Sequence, residues 1–195
     1  MSHTLHRVGT RENLAHDFVF LCMPSKDINH VGSHKPLRRF FELCEKNHCV
    51  TMGDCRGGNE WYQKEKYHLN DNLEGRQHMI ENVEDRAVIT ATFKSEEDVV
   101  NMLKDLKEED LGMSIVVSGL VDRVKECSHK AGLEPHTVEH SLGRIGRTDL
   151  LPPNEILEIA TMCGHSMVSV NFINEMIKYV NGRVNVIVGV GDTCL

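Results

Sequence analysis

The most unusual loop of the chain is Gly53-Asp-Cys-Arg-Gly-Gly-Asn-Glu-Trp61. Its residue types fit a small-molecule site. The adjacent glycines let backbone N–H groups approach a ligand closely. Arg56 is suited to hold a carboxylate or phosphate through two parallel hydrogen bonds. Cys55, next to Arg56, is placed for a lowered pKa and so for work as a thiolate nucleophile or metal ligand. This makes Asp54, Cys55 and Arg56 the candidate catalytic centre, with Gly57, Gly58 and Asn59 as candidate ligand-binding positions. The competing reading is a plain turn, because Gly-Gly-Asn is ordinary turn chemistry.

Histidine is the second chemical signal. The chain carries 12 of them, and imidazole is the commonest metal ligand and titrates near neutrality. His30 and His34 flank Val31-Gly32-Ser33 and, with Cys55, form the candidate metal set, for a transition metal such as zinc or iron. For any one histidine, a solvated or loop-bonded role outweighs ligation. There is no C-x2-C pair, so a zinc ribbon or a standard iron–sulfur motif is excluded, and ligands would have to come from separate loops. Cys22, Cys44 and Cys127 fall on apolar faces and read as core. Cys49 remains a possible ligand, with His48 beside it. Cys163-Gly-His165 reads as a core thiol and a helix cap, and His136 with His140 as a solvated pair.

Weaker signals lie further along. Ser118-Gly119 precedes a helix, whose first N–H groups favour an anion. No G-x-G-x-x-G or P-loop pattern is present, so nucleotide binding there has no motif behind it. Arg144 and Arg147 sit in a Gly/Arg loop, Gly143-Arg-Ile-Gly-Arg147, and complete the set of candidate ligand-binding residues.

The elements that must position these residues are clearest between Asp85 and Gly132. Ala87–Phe93 is rich in β-branched residues. Ser95-Glu-Glu-Asp98 opens a helix, Gly112 closes the following turn, Met113–Ser118 is a second apolar strand and Leu120–Ala131 a second helix. That order predicts a βαβ crossover at the centre of a sheet. Upstream, Asp17–Cys22 and His48–Met52 read as strands. Between them a helix starting at Pro36 places Leu37, Phe40, Phe41 and Cys44 on one face. Leu73–Val83 reads as a helix with Leu73, Met79, Ile80 and Val83 inward; His136–Leu142 is a further strand candidate. Pro152–Val180 reads as a helical hairpin whose second helix is capped by Ser169, and Val184–Val190 as a last strand or apolar tail.

The expected fold is therefore α/β, a mainly parallel sheet covered by helices with a C-terminal helical hairpin. The alternative is a ferredoxin-like α+β sandwich, in which the strands pair antiparallel. Residues 1–150 form the expected core domain and 151–195 a hairpin and tail. In a parallel sheet the loops bearing His30 and His34, Asp54–Asn59, Ser118-Gly119 and Arg144 with Arg147 all meet at the carboxyl ends of the strands, where ligands bind.

Composition narrows the function classes. With 195 residues and 40% hydrophobic content the chain can bury a full core. A net charge of −7 and the absence of long Lys/Arg runs make nucleic acid a poor partner. No apolar run approaches the roughly 20 residues of a membrane span, and Met1–Arg7 lacks a signal-peptide core. The chain reads as cytosolic, and its seven scattered cysteines as reduced. The leading expectation is a metal- or thiol-dependent protein acting on a small molecule, with redox chemistry ahead of hydrolysis. The rival is a non-catalytic accessory subunit docking through the C-terminal hairpin and tail, and either version is expected to form a homo-oligomer or bind a protein partner. Enzymatic activity itself stays open at this level.

Overall fold

The computed structural model describes residues 7–162 and 168–182. It divides into two units, one spanning Glu12–His136, the other formed by residues up to Arg11 together with residues from Thr137 on.

The first unit runs α1 (Arg11–Leu14, whose first residue belongs to the other unit), β1 (Phe18–Met23), α2 (His34–Lys46), β2 (Thr51–Asp54), β3 (Gly58–Asn59), α3 (Glu60–Tyr67), α4 (Asn72–Glu81), β4 (Ile89–Phe93), α5 (Glu96–Glu109), β5 (Ser114–Ser118) and α6 (Val121–Lys130). The strands form one five-stranded sheet in the order β3-β2-β4-β1-β5. Every neighbouring pair is antiparallel, with Phe20 beside both Ala91 and Val117, and Met52 beside Ala91. The mainly parallel sheet expected from sequence is thus wrong, and the arrangement is compatible with the ferredoxin-like alternative.

The reason is specific. β4 and β5 do run in the same direction around α5, as the sequence pattern requires, but β1 lies between them and pairs antiparallel with both. In the same way β4 lies between β1 and β2. Two split βαβ units interleave. Each local segment looks the same as it would in an adjacent crossover, so short-range pattern does not separate the two sheets.

Alternation fixes the buried face. Phe18, Phe20, Met52, Ile89, Ala91 and Phe93 are all essentially inaccessible, and Leu37, Phe40, Phe41 and Cys44 of α2 pack into the same core with Val99 and Met102 of α5. Burying an aliphatic or aromatic side chain of this size contributes about 1.5–3 kcal/mol. Phe20 and Phe93 meet edge to face at 5.0 Å, the geometry aromatic quadrupoles favour. Ser95 caps α5, its hydroxyl accepting from the Asp98 N–H. α2 begins two residues before Pro36, which occupies the first turn where its missing N–H costs nothing. Leu73, expected inward, is 67% exposed, while Met79, Ile80 and Val83 are buried as expected.

In the other unit, η1 (Thr148–Leu150), α7 (Asn154–Ala160) and α8 (Val170–Gly182) follow one another. Leu157, Ala160 and Ile173 are its buried apolar positions, with Thr161 buried beside them in the chain. The Thr161 hydroxyl accepts from the Val8 N–H at 2.9 Å, and the Phe172 N–H donates to the Ser169 hydroxyl, the expected cap of α8. The strand expected at His136–Leu142 is not formed. Those residues are exposed and carry no strand assignment. Cys163, His165, Val184–Val190 and Cys194 lie outside the described residues. Among the described residues no helix is long and apolar enough to cross a membrane.

Candidate functional site

Strand register decides which loops meet. Met23 at the end of β1 pairs with Ser114 at the start of β5, and both Cys22 and Asp54 pair with Ile89 at the start of β4. The loop after β1, the β2–β3 hairpin and the segment entering β4 therefore share one sheet edge. Ser118 pairs with Val19, at the opposite edge. Ser118 and Gly119 consequently do not join the other candidates. At Gly119 a Cβ would come within 3.1 Å of the Phe18 ring and of Val124, so its smallness serves close packing of α6 on the sheet. Arg144 and Arg147 belong to the other unit. Arg147 is held bidentately by Asp149 at 2.6 and 2.8 Å, and Arg144 lines a depression of about 670 Å³ with Thr148, Leu151 and Asn154. The convergence of four loops reduces to two loops and the segment before β4.

The Asp54–Asn59 loop is a tight hairpin that consumes its own polar groups. The Asp54 carboxylate accepts from the Arg56 N–H at 3.0 Å, and the Cys55 N–H donates to the Val88 carbonyl at 3.0 Å. The Gly57 carbonyl accepts from the Gln63 amide. Gly58 has φ +78°, and a Cβ there would sit 2.5 Å from the Tyr62 ring, so both backbone and space require glycine. Asn59 caps α3, its side-chain oxygen accepting from the Tyr62 N–H at 2.9 Å. The thiol of Cys55 is exposed at the hairpin tip, yet its pKa is not lowered. Although the residue is exposed as a whole, partial desolvation of its sulfur by the hairpin, and then the Asp54 carboxylate, push it above the ordinary cysteine value. Cys49 is buried in the core, and burial pushes its thiol up to about 12.

The turn into α2 is built differently. Ser33 at the N-cap makes no side-chain cap bond. Asp85, from the segment before β4, supplies the cap instead. Its carboxylate accepts from the Gly32 N–H and the His34 N–H, each at 2.8 Å, and from the His34 Nδ1–H at 2.7 Å. These bonds, the backbone ones first and the imidazole after them, hold its pKa down at about 2. The Ser33 hydroxyl donates to the His30 carbonyl and accepts from the Arg86 N–H, which ties the two segments together and fixes Asp85 in place. His34 remains 42% exposed, and among the described residues its Nε2 makes no hydrogen bond. A carboxylate on Nδ1 sets the tautomer and leaves Nε2 as the nitrogen with the lone pair. His30 accepts from the Asp27 N–H through Nδ1 at 2.7 Å. Among the described residues no three His, Cys, Asp or Glu side chains come together as a metal set. His30, His34 and Cys55 are thus on one edge without forming a ready cage.

Sequence reading missed Asp85, which carries no motif and is 51 residues from His34. It also missed the buried network under the hairpin. Glu60 is 1% exposed and takes the Arg76 guanidinium at 2.8 Å, while Arg76 also reaches the Val50 carbonyl. Gln63 meets the His78 imidazole at 2.9 Å. At Gly75 a Cβ would lie 2.2 Å from the Glu60 carbonyl, so α3 and α4 touch backbone to backbone. This network is engaged throughout and reads as structural.

The chain matches no family model, no curated protein and no solved structure.

Proposed function

We propose that the chain is a small-molecule enzyme acting by proton transfer at the sheet edge, with His34 as the acid–base group and Asp85 as its positioning carboxylate. The observation that carries this reading is the 2.7 Å bond from His34 Nδ1 to a carboxylate that is already pinned by two backbone N–H groups, on a His34 side chain that is 42% exposed. Such a carboxylate stays ionised and holds the ring with Nε2 as the nitrogen left to exchange a proton with substrate. Arg56 and Arg86 are exposed on the same edge, which favours a substrate bearing a carboxylate or phosphate. Proton-transfer chemistry such as hydrolysis is preferred over thiol redox, because Cys55 lacks the lowered pKa that a thiolate mechanism needs. A zinc or iron ion, if the protein takes one, would use His34 Nε2, with Asp85 behind the ring as metal-bound histidines commonly have; further ligands would have to be recruited.

The test is turnover of a panel of p-nitrophenyl esters and phosphates by the full chain. His34→Gln is expected to lower the rate about 100-fold or more, Asp85→Asn to lower it while altering the pH profile, and Cys55→Ser to leave it unchanged. Turnover that survives His34→Gln, or no turnover on any substrate of the panel, overturns the reading. The accessory-subunit reading draws on a different observation. Leu142, Ile145 and Leu150 are 88, 82 and 73% exposed, and Phe172 of α8 is 53% exposed, apolar side chains that a docking partner would cover.

A further inference from the structure

We propose that two copies of this chain join through their β5 strands, related by a two-fold axis at Val116, so that their sheets become one continuous antiparallel sheet. β5 pairs with β1 on one side only, and the backbone of Ser114–Ser118 makes no hydrogen bond to any other described segment. Half of its N–H and C=O groups therefore face outward as a template for another strand. Proteins usually block such an edge with a lysine, a proline or a bulge. Here the run Leu111–Val121 holds no charged residue and no proline, and β5 pairs with β1 without a bulge.

The occupant that fits is a second copy, for two reasons. The first is register. Antiparallel self-pairing centred on Val116 sets Ile115 against Val117 and Ser114 against Ser118, so apolar meets apolar, hydroxyl meets hydroxyl, and each pair recurs across the axis. A two-fold interface requires this self-complementarity. Ile115 and Val117 already pack against the core face, so the pairing extends that face and leaves the two Val116 side chains together on the other. The second is closure. The opposite edge of the sheet is β3, only two residues long, and it runs directly into α3. With a single usable edge per copy, the assembly stops at a pair and does not grow into a filament.

The experiment is light scattering on the full chain at micromolar to submillimolar concentration, together with cross-linking. The wild type is expected to be a dimer. Val116→Lys, which sets two ammonium groups face to face at the axis, is expected to be monomeric with an unchanged circular dichroism spectrum. Under mild oxidation Val116→Cys is expected to give a covalent dimer well above the wild-type background. Ser114→Cys should stay at background, because its two copies would lie about 13 Å apart along the strands, beyond the reach of about 7 Å between the Cα atoms of a disulfide. A monomeric wild type overturns the proposal, as does a dimer that Val116→Lys leaves intact. If the lysine variant fails to fold, the cysteine pair decides: equal cross-linking at both positions places the contact elsewhere.

Discussion

In the β2–β3 hairpin, Asp54 binds the backbone N–H of Arg56, Asn59 binds that of Tyr62, and the Gly57 carbonyl is taken by Gln63. At the start of α2 on the same sheet edge, Asp85 binds two backbone N–H groups and still holds an imidazole whose other nitrogen takes no hydrogen bond among the described residues. Both corners bring together an acid, turn glycines and a potentially reactive side chain. They differ in what is left over once the backbone has been satisfied. The hairpin spends its polar groups on closing a two-residue strand and starting a helix, and its thiol is kept protonated. The α2 corner borrows its cap from a distant segment, and the borrowed carboxylate also orients the histidine. Residue type alone does not distinguish a turn from a site; the remaining hydrogen-bonding capacity does.

That contrast can be broken or sharpened by substitution. The largest effect is expected beneath the hairpin, where Glu60→Ala strands Arg76 and removes the acceptor for the Met52 N–H. It should destabilise the fold by about 3 kcal/mol in denaturant titration; a change near zero would mean the hairpin side is not held by this network. Gly58→Ala should cost about 2 kcal/mol, from its positive φ and the clash with Tyr62, again by denaturation.

Asp85→Asn acts through pH. The folded pKa of Asp85, about 2, lies below its ordinary value of 3.8. Its stabilisation is therefore fully present above about pH 4 and is lost as pH falls through 2. The difference in melting temperature between wild type and Asp85→Asn should be largest near pH 5 and shrink toward pH 2. A difference that stays constant with pH would remove Asp85 from the role assigned to it. Cys55→Ser should be the smallest change, within about 0.5 kcal/mol of wild type, with no loss of turnover; a large loss of turnover would restore the hairpin as the site.

How far the chain could be read in advance varied with the kind of signal. α5 and α6, the apolar face of α2 and the strands around Phe20, Ala91 and Val117 were legible because each announces itself within a dozen residues through periodicity and caps. α3 was not. Its inward residues are Glu60 and Gln63, so it has no apolar stripe, and its burial is made tolerable by Arg76 and His78 from a different helix. Leu73 failed in the opposite direction, an apolar residue at a helical spacing that faces solvent. The Asp54–Asn59 loop was recognised as unusual, but the types that mark it serve turn geometry. His34 was among the candidates; Asp85, which holds its Nδ1, was invisible for want of any sequence spacing that connects them.

The sequence by itself determined α2, α5, α6 and the strands around Phe20, Ala91 and Val117, with their order and the apolar faces they bury, since propensity, capping and periodicity act over a few residues. Net charge and the lack of a spanning apolar run carried an expectation about partners. Strand neighbours were decided only by the tertiary structure. A crossover helix fixes the direction of the two strands it connects and says nothing about a third strand inserted between them. That insertion turned the sheet antiparallel, separated Ser118 from Asp54, and carried Asp85 to His34. Contacts between residues far apart in the chain are set by how whole elements pack, and it is those contacts that made one polar corner a turn and the other a candidate site.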